Sequence, residues 1–239
     1  MEEISERLRT AAQLAALGFP PDGSRRLADI GTDHALLPVY MVSHGLADSA
    51  LALDVRRGPL ERARRHVQEA GLSGKVTCRL SDGLAGVRKG EADVFVICGM
   101  GGQLIRKILS AGKDRLTEKS RIVAGPQLDV PDFRAFVMRE RWRSSCERMV
   151  FENGKFYTLM LLERGEEPGG PLTDVELLCG RQLLAKRDPV LRAFLEREKE
   201  LTEKIRQQLT GRESAGARQR LLQLAKQEAL LDEAFAYYR

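Results

Sequence analysis

Ten residues constrain this chain more than any others: Arg26-Leu27-Ala28-Asp29-Ile30-Gly31-Thr32-Asp33-His34-Ala35. An apolar strand pattern ends on an acid-x-glycine turn, and a helix-like pattern starts at once, near Ala35. Such a turn is the first ligand-binding turn of an open α/β sheet, at the carboxyl end of a strand. Gly31 lets the backbone turn tightly and approach a ligand. Asp33 and His34 stand where a dinucleotide fingerprint carries small residues. A carboxylate about 4 Å from a phosphate costs on the order of 4 kcal/mol at an effective dielectric of about 20. The turn therefore disfavours a pyrophosphate and favours a ligand with cationic groups and a ribose diol. S-adenosylmethionine has an ammonium, a sulfonium, a ribose and no phosphate, so the turn suits it better than NAD.

The rest of the chain supports the sheet. Residues 3–17 read as an amphipathic helix with Ile4, Leu8, Ala11, Leu14 and Leu17 near one face, stopped by Pro20, Pro21 and Gly23. Strand and helix signals then alternate. Strands are expected at Leu27–Ile30, Ala50–Leu53, Lys75–Leu80, Asp93–Cys98 and Arg121–Ala124, with helices between them. The near-continuous apolar run before Cys98 suits a strand buried on both faces of a parallel sheet. Ser145–Phe151 and Lys155–Leu162 are joined through Asn153-Gly154, a strong hairpin signal. A parallel sheet that ends in an antiparallel β-hairpin is typical, by fold-level analogy, of a Rossmann-like class I methyltransferase sheet, which is the fold expected here.

Gly165-Glu166-Glu167-Pro168-Gly169-Gly170-Pro171 reads as a linker. A capping box, Thr173-x-x-Glu176, opens a helix after it. Asp188-Pro189 restarts another. The stripe Phe194, Leu201, Ile205 and Leu209 matches Leu221, Leu224, Leu231, Phe235 and Tyr238, as in two antiparallel helices. The expected organisation is a methyltransferase domain over 1–164, a linker over 165–171 and a coiled-coil-like α-helical domain over 172–239.

Composition narrows the setting. The chain has 239 residues, 43% of them hydrophobic and 31% charged, with a net charge of +5. No apolar run approaches the roughly 20 residues that span a bilayer. The acidic start Met1-Glu2-Glu3 has no hydrophobic signal segment. Cys78, Cys98, Cys146 and Cys179 are scattered, with no spacing for zinc or a disulfide framework. These features predict a cytoplasmic protein without metal and away from membranes. Arginine clusters at Arg25-Arg26, Arg56-Arg57, Arg64-Arg65 and Arg139-Arg141-Arg143 suit phosphate or a solvated surface equally well.

Other turns add candidates. Asp54 closes the second strand and can accept both hydroxyls of an adenosine ribose. Ser81-Asp82-Gly83 follows the third strand, where Asp82 can accept from an adenine amine or form an ordinary turn. Gly99-Met100-Gly101-Gly102 follows the fourth, where glycines permit close approach and Met100 offers a polarizable surface. His34 can donate to ligand or base, or satisfy the turn. His44 and His66 are expected on the surface, and Cys98 as a small buried hydrophobe.

Asp29-Ile30-Gly31-Thr32-Asp33-His34-Ala35 with Pro38, and Ile97-Cys98-Gly99-Met100-Gly101-Gly102-Gln103-Leu104-Ile105, closely resemble the bacterial tRNA (adenine-22-N1)-methyltransferase family. Ile4 to Leu8 with Arg7, Ser81-Asp82-Gly83-Leu84 and Glu152-Asn153-Gly154-Lys155-Phe156-Tyr157 also fit. The likeness runs from about residue 4 to 163. It implies S-adenosylmethionine as methyl donor, with no metal, and N1 of adenine 22 in tRNA as acceptor. On that resemblance the donor site takes Arg7, Asp29, Gly31, Thr32, Asp33, His34, Asp54, Val55, Ser81, Asp82, Gly83, Cys98 and Gly99 to Gly102. Met100, Gln127, Arg56 and Arg57 face the tRNA, and Asp33 and His34 carry the chemistry, although Asp29 and Asp33 could exchange roles. The family commonly has an aromatic at Leu36, and Gln-Pro-Asn where this chain has Gly125-Pro126-Gln127. A monomer is expected. The alternatives are a class I methyltransferase acting on another RNA site or a small molecule, and a non-catalytic RNA-binding protein with a relic donor site.

Overall fold

A computed structural model describes residues 4–211 and 214–239. The acidic start Met1–Glu3, including the first residue of the expected N-terminal helix, lies outside the described residues. The chain divides into two compact units, Met1–Gly170 and Pro171–Arg239.

The first unit holds one seven-stranded sheet in the order β3-β2-β1-β4-β5-β7-β6. Its strands are β1 (Arg26–Ile30), β2 (Ser49–Asp54), β3 (Val76–Leu80), β4 (Val94–Met100), β5 (Arg121–Pro126), β6 (Trp142–Glu152) and β7 (Lys155–Arg164). Strands β1 to β5 pair in parallel, and β7 inserts antiparallel between β5 and β6, with Ala124 opposite Met160. The strand order reverses between β1 and β4, the switch point where sheets of this kind open a crevice.

Alternation along each strand splits the core into two layers. Leu27, Ala50, Val94 and Val96 pack under α1 (Glu6–Gly18), α2 (Leu36–Ser43) and α3 (Arg57–Glu69). Ala28, Ile30, Phe95 and Ile97 pack on the other face, under α4 (Gly102–Ala111) and α5 (Val130–Arg139). Residues 94 to 97 are wholly buried, as a central parallel strand requires.

Several boundaries differ from the sequence reading. Helix α1 starts at Glu6, because the Ser5 hydroxyl accepts the Leu8 amide at 3.3 Å and caps it. Leu17 leaves the apolar face and is 64% exposed, while Ala12 and Ala15 are buried there instead. Strand β4 runs on through a bulge between Cys98 and Met100, into the glycine turn. The hairpin is longer at both ends; its turn is made by Asn153 and Gly154, both with positive φ.

The second unit is helical. Thr173 and Glu176 close a reciprocal capping box at α6 (Asp174–Cys179), followed by α7 (Arg181–Ala185). Asp188 accepts the Val190 and Leu191 amides, both at 2.9 Å, and starts α8 (Pro189–Leu209). Helix α9 (Ala215–Ala236) runs back along it, with Lys199 on Asp232 at 2.9 Å and Arg206 on Glu228 at 3.2 Å. The seam on α8 is Leu191, Leu195 and Thr202 rather than the stripe through Leu201, which is exposed. Among the described residues no helix is long and apolar enough to cross a membrane.

Candidate active site

The turn after β1 is hooked onto its neighbour. The amides of Gly31 and Thr32 both donate to the Leu53 carbonyl, each at 2.8 Å. Gly31 has φ +77°. A phosphate would need those amides pointing outward as a nest of donors. Here they are spent on β2, so the turn offers a ligand carboxylates rather than backbone donors.

A second departure follows. The helix does not begin at once: His34 and Ala35 both take left-handed backbone with φ 54°, and α2 starts at Leu36 without a side-chain cap. Such conformations in non-glycine residues are sparsely populated and cluster at functional sites. Helix α3 holds this segment. Arg62 Nε donates to His34 Nε2 at 3.0 Å, and His66 Nδ1 donates to the His34 carbonyl at 2.8 Å. His66 is therefore part of the turn's scaffold, not a bystander on the surface. His44 instead donates to the Tyr40 carbonyl at 2.9 Å and stacks on that ring.

Two carboxylates are buried at adjacent strand ends. Asp29, only 8% exposed, has its pKa pushed up to about 6. Loss of solvent is the main cause, opposed by the Thr32 hydroxyl and reinforced by the charges of Asp33 and Asp54. Asp54 accepts the Arg56 amide at 2.7 Å, with the Arg56 guanidinium 3.6 Å away. Asp33 is mostly exposed, its Oδ1 lying 3.5 Å from His34 Nε2. The first turn thus carries one carboxylate out of water and one in it.

The remaining turns shape the walls. Ser81 donates to the Gly83 carbonyl and accepts the Gly86 amide, both at 2.8 Å, so its hydroxyl builds the β3 turn. Burial pushes the Cys98 thiol up to about 12, with the Asp29 charge adding and Arg7 opposing. That group stays a thiol and supplies no nucleophile. Arg7, on α1, donates its amide to Glu152 at 3.1 Å across the sheet end. Its guanidinium lies over Tyr157, and its buried Nε, which makes no hydrogen bond, is 3.8 Å from Glu152 Oε2.

Arg7, Asp29, Gly31, Thr32, Asp33, Asp54, Val55, Arg56, Ser81, Asp82, Gly83, Cys98, Gly99, Met100 and Gln127 line one cleft of about 580 Å³. Of the other residues singled out in sequence, His34, Arg57, Gly101 and Gly102 are not in its walls. His34 faces Arg62, and Arg57 is an exposed residue at the start of α3. Gly101 stands at the N-cap of α4. Gly102 is a packing glycine, because a Cβ there would come within 2.7 Å of the Leu128 carbonyl. Gln127 sits at the rim, its amide donating to Met100 at 3.0 Å. Leu36 is also in the wall, at the position where the resembled family commonly carries an aromatic.

Sequence reasoning missed Pro59, Arg62, Leu104 and Ile108, which also line the cleft. Only helical spacing could have found them: Pro59 and Arg62 on α3, Leu104 and Ile108 on α4, each pair one turn apart. Among the described residues no group of three His, Cys, Asp or Glu is placed to hold a metal.

The donor set suits S-adenosylmethionine. The Arg7 guanidinium, whose Nε makes no hydrogen bond and lies 3.8 Å from Glu152, matches a carboxylate, two sequestered carboxylates match cationic and diol groups, and Gly99 leaves room for close approach.

Comparison with known proteins supplies the family. A family model described as tRNA (adenine(22)-N(1))-methyltransferase matches residues 27–233. The tRNA (adenine(22)-N(1))-methyltransferase of Bacillus subtilis (strain 168) is 34% identical over 97% of this chain and 96% of its own length. The crystal structure of the B. subtilis M1A22 tRNA methyltransferase superposes with a TM-score of 0.84, at 34% identity over 97% of this chain and 98% of that one. Streptococcus pneumoniae Sp1610 in complex with S-adenosyl-L-methionine gives 0.82, at 28% identity over 97% and 99%. On sequence and fold together, this chain belongs to the tRNA (adenine(22)-N(1))-methyltransferase family.

Proposed function

We propose that this protein transfers a methyl group from S-adenosylmethionine to N1 of adenine 22 in tRNA. The observation that carries the reading is the first turn: its amides are bonded to Leu53 while Asp29 and Asp54 lie buried beside it. When bound, S-adenosylmethionine supplies an electrophilic methyl group on a sulfonium sulfur.

The roles of the residues follow from burial. Arg7 would hold the donor's carboxylate, Asp29 its cationic end and Asp54 its ribose hydroxyls, with Asp82 at the adenine. Gly31, Gly83 and Gly99 keep the backbone close, and Thr32, Val55 and Cys98 complete the wall. Asp33 is the acceptor-side carboxylate, because it is exposed where Asp29 is not. Neutral adenine N1 already carries a lone pair, so no base is needed before attack. The product is cationic, and Asp33 offsets that charge or accepts the N6 proton. Positioning supplies much of the rate.

The target base is extruded from the tRNA body to reach the cleft. Met100 and Gln127 line the acceptor side, and Arg56 and Arg57 hold backbone phosphates, so affinity falls steeply with salt. The helical unit grips the tRNA body. On this reading residues 1–164 form the methyltransferase domain, 165–171 the linker and 172–239 the tRNA-binding domain. The protein works as a cytoplasmic monomer; its four scattered cysteines suit a reducing compartment.

The test is methyl transfer from labelled S-adenosylmethionine to an unmodified tRNA transcript, with the product mapped by primer extension. A stop at adenine 22 that vanishes when that base is changed is the expected result. Tight donor binding with no tRNA product would refute the acceptor and keep the donor site.

A further inference from the structure

Helix α3 lays two side chains, four residues apart, on one short stretch of the turn after β1. Arg62 reaches the His34 ring and His66 reaches the His34 carbonyl. Residues at that spacing share a helix face, so the two contacts form a single two-point grip.

The chemistry of the grip decides where the His34 proton sits. A guanidinium nitrogen is always a donor. With Arg62 Nε donating at 3.0 Å, His34 Nε2 must present its lone pair, and the ring proton must lie on Nδ1. The same Nε2 is 3.5 Å from Asp33 Oδ1. A proton on Nε2 would turn the ring towards that carboxylate and engage it. A lone pair on Nε2 leaves the carboxylate unengaged by the ring. The His66 bond, at 2.8 Å, holds the left-handed backbone that aims the ring.

We infer that Arg62, with His66 behind it, is a positioning residue: it locks His34 in the Nδ1–H tautomer and keeps the Asp33 carboxylate available to the acceptor base. The inference deepens the functional reading above and rests on Asp33 being the acceptor-side carboxylate.

Three measurements on the full chain test it. Long-range proton–nitrogen NMR correlation at neutral pH reads the His34 tautomer in wild type, Arg62→Ala and Arg62→Lys. Steady-state kinetics on a tRNA transcript separate kcat from KM, and calorimetry gives the donor affinity. Wild type should show Nδ1–H, and Arg62→Ala should shift towards Nε2–H. In that variant kcat should fall about tenfold or more while donor affinity holds, and Arg62→Lys should restore most of both effects. An Nε2–H ring in wild type, or an unchanged tautomer in Arg62→Ala, would overturn the inference. So would a rise in KM for tRNA with kcat intact, which would make Arg62 a phosphate contact. Failure of wild type to methylate any tRNA would refute the functional reading instead, and the NMR would still decide the tautomer.

Discussion

The methyl of Met100 lies so close over Gly31 that a Cβ at position 31 would come within 2.7 Å of it. Two turns, after β1 and β4, therefore close on each other through one side chain and one missing side chain. Gly31→Ala meets both this contact and a φ of +77°. The expected cost is about 1 kcal/mol from the backbone, which lowers Tm by about 2–4 °C in a chain of this size. Donor affinity should fall about tenfold, as the turn opens. Adding Met100→Ala should recover only part of the Tm, because it relieves the contact and not the φ. Full recovery in the calorimeter would show that backbone strain is absent.

Asp54 is the carboxylate best placed to act on a ribose. Charge-assisted hydrogen bonds contribute about 1.5–3 kcal/mol each, so Asp54→Ala should weaken donor binding at least about tenfold. Isothermal titration checks this; an unaltered affinity would remove Asp54 from the site.

Asp29 makes donor binding depend on pH. Its folded pKa of about 6 stands above the ordinary carboxylate value of 3.8, so the stability this group lends is present below that value and is lost as pH rises through about 6. A bound cation favours the charged carboxylate, so donor binding should release a proton near that pH and tighten as pH rises towards neutrality. Asp29→Asn should flatten the pH dependence, weaken binding, and raise Tm above about pH 7, where the wild-type group is ionised. Proton release measured by titration in buffers of different ionisation enthalpy decides the matter; none near pH 6 would show that Asp29 does not meet the donor's cationic end.

The division of the chain at Gly170 and Pro171 invites a truncation. A protein ending at Gly170 should keep donor binding, since every wall residue of the cleft lies before that point. It should lose tRNA methylation. Unchanged turnover would take the helical unit out of tRNA recognition.

Local rules explain what the sequence made legible. Asp29, Asp54 and the Gly99–Gly102 turn were readable because each closes an apolar run, and Asn153-Gly154 and Asp188-Pro189 because turn and cap chemistry is local. What escaped depends on tertiary packing. Nothing in Arg62 or His66 announces His34; the meeting requires α3 to lie over the turn. Ala35 defeats local propensity outright, since nothing in an alanine asks for a positive φ. The arginine runs were ambiguous for a related reason. Arg25 and Arg26 pair with Asp48 and Asp93 at the amino ends of the strands, and Arg143 pairs with Glu163, acids that the fold brings from afar. On α8, Leu191, Leu195 and Thr202 form the seam, a register fixed by the partner helix rather than by the largest side chains.

The bond between the Arg7 amide and the Glu152 carboxylate spans 145 positions of chain. A ribosome releases Arg7 early and Glu152 only after the sheet's five parallel strands have emerged. One wall of the donor cleft thus waits for the last hairpin, and a nascent chain halted before it carries the acidic turns without their basic counterpart in place. Although every wall residue has been made by Gln127, the helix that carries Arg7 gains this anchor only when the first strand of the hairpin has been added, so the donor cleft is fastened last by the part of the sheet furthest from it in sequence.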